Sequence, residues 1–440
     1  MTEKILLWKE KKMKRTKRLV SIGLTAVMAA TLAAGCSGGK EGQDSENDNG
    51  GVTITLLNTK SELVDQFDAL ADEYKELTGV NIEVQFTSDV VSTHLSERYA
   101  SGSPYTIMMV DRTDVYAFQD YLLDLSDEDW IADGGAEYGV NIDGKTYSFP
   151  LLVEAVGLLY NAQAIEDITG EEFNWTDYNT PEKFEGLLEE LKAGGMESPV
   201  AVNQDDWSLA NHFFGQLYDQ QGNSEESSQE YVDSLKNGEV DLTGDARFNS
   251  LMDSFDTLLE YNINSADPLA ADYDMNNEYF ASGEVAFWFN GSWVTDVYSQ
   301  TDKIGIMPLP QSDADGEAND RLIAGASKTF VIDKEYSTEE QQQAAKDFLN
   351  WLVYDEAGQS FMVDDCGIVP AFTNITKEVS TPISIAVQQF IQDGMTSYWY
   401  QAIPGDHGTE VGALLQKYMS GNMDREEFAS AVEDYWTAQE

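Results

Sequence analysis

The sequence predicts an α/β protein of two lobes that share crossover segments, and three observations carry that expectation. Strand-like and helix-like segments alternate from Val52 to Val110, the rhythm of a parallel sheet covered by helices. Further strand-like runs recur downstream, interleaved with helical stretches. The chain has 440 residues, 42% hydrophobic and 11% aromatic, which is too long for one sheet and rich enough to bury more than one core.

The elements follow in order. Lys14, Arg15, Lys17 and Arg18 precede an uncharged run, Leu19 to Gly35, that ends in Leu-Ala-Ala-Gly-Cys. This is the pattern of a secretory signal peptide over residues 1–35, too short and too rich in small residues for a comfortable membrane span. Its end resembles a lipobox, with Ala33 where leucine is usual, which implies lipid attachment at Cys36. Met13 opens a better signal sequence than Met1 does. Residues 36–50 are mostly Gly, Ser, Asp, Glu and Asn with hardly an apolar group, so they read as a flexible tether. With Cys36 consumed by lipid, Cys366 stays unpaired, and no disulfide scaffold or thiolate metal cluster is expected.

Val52–Leu57 reads as a buried strand. Ser61 is placed to cap a helix in which Leu63, Phe67, Leu70, Tyr74 and Leu77 recur at helical spacing, stopped by Gly79. A strand at Asn81–Phe86, a helix at Val91–Ala100 and a strand at Ile107–Val110 complete the first unit. Leu151–Tyr160 is a long apolar strand whose one carboxylate, Glu154, needs partners. Residues 180–265 are mostly helical, strands follow at Val285–Phe289, Ile304–Pro310 and Leu322–Ile332, and helix returns after Ser337. Residues 51–152 and 320–355 are assigned to the first lobe, 153–319 and 356–440 to the second.

Charge excludes one class of partner. Lys and Arg number 26 against 79 Asp and Glu, a formal charge of -53, so there is no basic face to hold nucleic acid. Several motifs fail on context. Gly139–Thr146 matches a phosphate-loop pattern, but a strand follows instead of a helix, so Asp143-Gly144 reads as a hairpin turn. His94, His212 and His407 lack the spacing of a zinc site or a catalytic triad, and Asp313-x-Asp315-Gly lacks the ligand series of a calcium loop. No metal or cofactor is expected. Aromatics beside polar loop residues stand out: Trp207 after Asp206, Trp293 after Asn290, and Tyr398-Trp399-Tyr400. Indole faces suit the apolar patches of sugar rings, while carboxylates and amides bind hydroxyls. Trp130, Trp175, Trp288 and Trp351 are read as structural.

Three segments resemble the extracellular solute-binding lipoproteins of ABC importers, in the branch that includes the maltose-binding protein. Phe149–Ala155 continued by Leu158–Asn161 looks like that family's first interlobe crossover. Phe280–Trp293 is similar to its second signature, and Leu322–Ile332 followed by Ala344–Leu352 to its return into the first lobe. The resemblance implies a two-lobe periplasmic-binding-protein-like fold of type II that closes on a ligand, normally a sugar. It implies ligand contacts from Asn58, Lys60, Asp111, Arg112, Glu154, Trp293 and Trp399, beside the Asp206, Trp207, Asn290 and Tyr398 singled out by composition. It also implies binding without catalysis, an oligosaccharide as cargo, delivery to the permease subunits, and a monomer held at the outer face of the membrane by lipid. The alternatives are a polyamine ligand, suggested by the acidity, and a tethered glycoside hydrolase using paired carboxylates. Iron capture by Tyr398 and Tyr400 is a third.

Overall fold

The computed structural model describes residues 51–439, except 223, 271–272, 295–300, 302, 313–316 and 401. The signal segment, Cys36, the tether and the Asp313 loop therefore lie outside the described residues.

Strands β1 (Thr53–Asn58), β2 (Asn81–Phe86) and β3 (Ile107–Val110) are parallel, with β1 in the middle. The helix Val64–Thr78 connects the first two and buries Phe67, Leu70 and Tyr74, one face at helical spacing. Gly79 ends it at φ 81, a left-handed position that costs glycine nothing. The expected cap at Ser61 is not made. Ser61 instead opens a single 3-10 turn, Ser61–Leu63, which moves the start of the helix to Val64. The phosphate-loop look-alike is the hairpin of β4 (Asn141–Ile142) and β5 (Lys145–Thr146), with Asp143 and Gly144 both at positive φ as a tight hairpin turn demands.

The two halves of the molecule are joined through β6 (Phe149–Asn161), a continuous strand of 13 residues. Beyond it come β7 (Val200–Ala201), β8 (Phe287–Gly291), β9 (Ile304–Met307), β10 (Leu322–Ile332) and β11 (Thr396–Tyr398). The sheet order is β2-β1-β3-β10-β6-β8-β7, with β9 on β6 and β11 on β10. Residues 149–156 of β6 pair antiparallel with β10, and residues 156–161 pair with β8 and β9. One strand thus belongs to the sheets of both lobes, and its near-continuous apolar composition follows from burial on both faces along its length.

The cores separate accordingly. Phe67, Phe149 and Phe330 meet at centroid distances of 6.0 to 6.4 Å in the first lobe, and Trp130 packs edge-on against Phe149 at 5.1 Å. In the second, Phe213 packs on Phe255 and Phe289, and Phe214 on Phe428. Trp130 and Trp288 are fully buried, while Trp351 packs on Tyr74 and Trp175 on Phe390. The assignment of 356–440 to the second lobe does not hold for its first stretch. Phe361 packs on Phe67 at 5.3 Å and Phe372 on Phe149 at 4.9 Å, so residues 361–372 complete the first lobe's aromatic core and the chain returns to the second lobe only later.

Gly157 marks the tightest point of the crossover. A Cβ there would lie 2.5 Å from the Met307 carbonyl oxygen and 2.9 Å from a Leu322 methyl group. Gly157→Ala must push β9 away from β6, and we expect a loss of about 1–3 kcal/mol in urea unfolding with an unchanged m value.

Candidate functional site

The carboxyl ends of β1 and β3 and the middle of β6 and β10 converge where the lobes meet, the position at which α/β sheets bind ligands. Asn58 ends β1 fully buried and folds its side chain onto the turn, donating to the Lys60 carbonyl at 2.9 Å and accepting from the Lys60 N–H at 2.8 Å. Its polar atoms are used locally. What it presents to the cleft is Lys60, whose Nζ lies 2.8 Å from Glu154 Oε1 and 3.0 Å from Glu62 Oε1. The Ser327 hydroxyl donates to the other oxygen of Glu154. Burial works against a charged Lys60, but the two carboxylates outweigh it and hold the ammonium above its usual range.

A second pair stands beside the first. Lys328 donates to Asp111 at 2.6 Å, and Asp111 caps the helix Arg112–Phe118 in a reciprocal box with Asp114. Burial first, then the neighbouring Asp111, raise the Asp114 carboxyl well above the ordinary aspartate range. Arg112 does not join Asp111 as an acid-base pair facing ligand. It is buried and turned outward, donating to the Tyr138 carbonyl at 3.1 Å with Glu225 at 4.0 Å.

The opposite wall is aromatic. Asp206 accepts from the Trp207 N–H at 2.7 Å and so caps a π-helix, Trp207–Phe214. That helix brings His212 into the middle of an indole ring set: Trp293 at 4.8 Å, Trp207 at 5.2 Å and Trp399 at 5.6 Å between centroids. Trp293 folds back over Gly291, where a Cβ would fall 1.9 Å from the ring, so only glycine allows this pose. Tyr273 flanks Trp207 at 6.0 Å. Nδ1 of His212 is buried in this cup without a hydrogen-bond partner, and the Asn290 amide lies beside the Tyr273 hydroxyl. His212 is half-buried as a residue, and desolvation holds its ring neutral. Its pKa falls from 6.5 to about 3, burial being the main cause, with Lys328 and Lys60 adding to it and Asp111 opposing it. Lys60, Asp111 and Lys328 all act on His212 electrostatically, so the charged wall lies near the cup. A cavity of about 50 Å³ is lined by Lys60, Glu154, Ser292 and Trp293 together with Leu152, Gly367 and Thr381.

The sequence-derived candidates therefore divide. Lys60, Asp111 and Glu154 form the charged wall, and Trp207, Asn290, Trp293 and Trp399 form the cup. Asn58 and Asp206 serve local turns. Tyr398 lies apart with Glu225 and Arg112, its hydroxyl pushed up chiefly by burial, and Tyr400 donates to Gln229 at 2.7 Å. Missed were Ser327, Lys328, His212 and Tyr273. Lys328 carried a readable signal, since a cation inside an apolar strand needs a partner as much as Glu154 does. Among the described residues no His, Cys, Asp and Glu cluster is arranged to hold a metal ion.

A family model for bacterial extracellular solute-binding proteins matches residues 69–386. The chain belongs to that family. Solute-binding proteins of this family act outside the cytoplasm, and the location follows. Among solved structures, the solute-binding protein RafE in complex with raffinose is 19% identical, covers 88% of this chain and 99% of its own, and superposes with a TM-score of 0.70. A Bacillus licheniformis sugar transporter in complex with stachyose is 18% identical over 88% of this chain and 99% of its own, TM-score 0.64. The bacterial solute receptor AcbH, described as preferring β-D-galactopyranose exclusively, is 17% identical over 88% and 98%, TM-score 0.70. These likenesses establish the two-lobe fold. No curated protein sequence matches the chain.

The neutral state of His212 has a consequence for stability. The unfolded chain protonates this ring near pH 6.5 and the folded one only near 3, so the stabilisation is complete above pH 6.5 and is lost as pH falls toward 3. His212→Gln removes that loss. The stability of the unmodified protein relative to the variant should fall by about 1 kcal/mol per pH unit below pH 6.5, measured by urea unfolding at pH 7 and pH 5, whereas parallel curves would show that His212 titrates alike in the folded and unfolded chain.

Proposed function

We propose that this protein captures a neutral carbohydrate between its lobes for an ABC importer. The observation that carries the reading is the cup, in which indole faces surround His212, whose buried Nδ1 has no protein partner. Such an atom is costly unless a ligand supplies a hydroxyl. The charges opposite are paired among themselves, Lys60 with Glu154 and Glu62, Lys328 with Asp111, which favours a ligand without net charge. Two lysines in the cleft also speak against a polyamine. Raffinose, stachyose and galactopyranose are named for three proteins of the same fold, and an oligosaccharide suits a cleft with several ring faces.

The role is binding and not catalysis. Glu154 and Asp111, the cleft carboxylates, are each held by a lysine, an arrangement that suits neither a general acid nor a free nucleophile. Ligand touching both walls favours the closed form by its greater affinity for it, and the loaded monomer then docks on the permease subunits. A lipid on Cys36, with residues 36–50 as leash, keeps it at the outer membrane face. The lobes are residues 51–152 and 320–372 for the first, the rest of the body for the second.

A thermal-shift screen of the secreted protein against sugars, polyamines and ferric citrate tests the ligand class. Ligand at about a hundred times its dissociation constant adds about 2.7 kcal/mol of stability. A rise with one saccharide series is expected, and a rise with polyamines alone overturns the reading. Trp293→Ala should weaken the responding sugar by about 1–3 kcal/mol in titration calorimetry, and unchanged affinity would remove the indole from the site. Cys36→Ser should release the protein from the membrane fraction into the medium, while retention would show an anchor other than lipid.

A further inference from the structure

His407 lines no part of the site, yet it is fully buried and hydrogen-bonded on both sides of its ring. Nε2 lies 3.0 Å from the Tyr218 hydroxyl oxygen, which lies 3.0 Å from the Trp436 indole nitrogen. Nδ1 lies 3.0 Å from Oδ1 of Asn211, the residue that precedes His212 in the π-helix Trp207–Phe214. Burial lowers the His407 pKa from 6.5 to about 3, so the ring is neutral and only one nitrogen carries a proton. Which nitrogen that is follows from the far end of the chain of bonds. An indole N–H can only donate, so the Tyr218 oxygen accepts from Trp436 and sends its own proton to Nε2. The imidazole proton therefore sits on Nδ1 and is donated to Asn211.

The recipient segment needs outside support. A π-helix closes its hydrogen bonds one residue later than an α-helix and is rare because that geometry is poorer. If Trp207–Phe214 relaxed to α geometry, the side chains beyond the slip would shift by one position. That is a rotation of about 100°, enough to take His212 away from Trp293 and Trp399. The helix His407–Met419 lies against this segment closely enough to oppose the slip. A Cβ at Gly412 would fall 2.6 Å from the Asp206 Cβ, and one at Gly408 3.2 Å from Nδ2 of Asn211. The bond from His407 adds direction to that contact, because a hydrogen bond fixes where the Asn211 side chain stands and apolar packing does not.

We propose that His407 is a positioning residue for the cup: its Nδ1–H holds Asn211, pins the π-helix in register and so keeps His212 among the indoles. Ligand does not touch it. The role rests on the carbohydrate reading above for its function but not for its geometry, which is measurable without ligand. A histidine serving only to fill the core would tolerate either tautomer and any substitute of similar size. A positioning one requires a donor at the place of Nδ1.

The test is NMR of the secreted protein labelled at its histidine rings, of which there are three to assign. Nitrogen shifts of His407 should report a proton on Nδ1 and none on Nε2. The His212 ring signals should be displaced by the currents of the three indoles around it. His407→Asn keeps a donor near the place of Nδ1 and should retain that displacement. His407→Gln reaches toward Tyr218 instead and should lose it, with affinity for the responding sugar about tenfold below that of the Asn variant. Both variants trim the same core side chain, so a similar fall in melting temperature leaves the split to the Asn211 contact. A proton on Nε2, or His212 signals that move equally in both variants or in neither, overturns the proposal. Where the core variants do not fold, Asn211→Ala removes the acceptor from a half-buried position. It should bring the His212 signals toward those of a free ring, and unchanged signals overturn the proposal. A clean split in His212 signals with no response to any sugar would strike the carbohydrate reading and leave the positioning role standing.

Discussion

Glu154 sits 8% exposed in the middle of β6, the strand common to both lobes, and its charge is tolerable there because Lys60 and Ser327 close on its two oxygens. Removing one partner from such a buried pair typically costs about 3–5 kcal/mol, since the other charge is left desolvated and alone. The constraint fixes more than one residue. Lys60 comes from the loop after β1 and Ser327 from β10, so the contact ties three strands of the first lobe at the point where β6 leaves it for the second. The Asn58 turn serves that contact by aiming Lys60. The Lys328–Asp111 pair repeats the arrangement one strand further along, with Asp111 also anchoring a helix start.

Such pairing reconciles a very acidic chain with a cleft for neutral cargo. The net charge of -53 describes the whole sequence and acts through solubility and long-range repulsion. The cleft is governed by contacts of 2.6 to 3.0 Å, in which each carboxylate on the wall meets an ammonium group. A neutral polyhydroxyl ligand can bridge such a wall without displacing a charge, whereas a cation would meet lysine. The cup contributes ring faces and a histidine kept neutral by burial, so the cup carries no charge near neutral pH.

The π-helix Trp207–Phe214 gives the cup its shape. It sets Trp207 and His212 among indoles from two other segments, and irregular helix of this kind is common at functional sites. Gly291 does the complementary work on β8, since any side chain there would occupy the position of the Trp293 ring. The cup is thus assembled from a helix, a strand end and the segment after β11.

Local pattern determined a good deal. Helical spacing and Gly79 located the first helix, the alternation up to Val110 identified a parallel unit, and the strand after Lys145 exposed the phosphate-loop match as a hairpin. A charge in an apolar strand marked Glu154, and the same reasoning applied to Leu322–Ile332 reaches Lys328. Packing decided what sequence separation hides. His212 is one of three dispersed histidines until a π-helix turns it toward Trp293 and Trp399, and Arg112 follows Asp111 in the chain yet leaves the cleft for Tyr138 and Glu225. Residues 361–372 return to the first lobe because Phe361 and Phe372 complete its aromatic core, a fit that depends on volumes contributed by distant segments. Periodicity is a local property and survives in one dimension, whereas partners across a cleft are chosen by distances that exist only once the crossover strand has brought the lobes together.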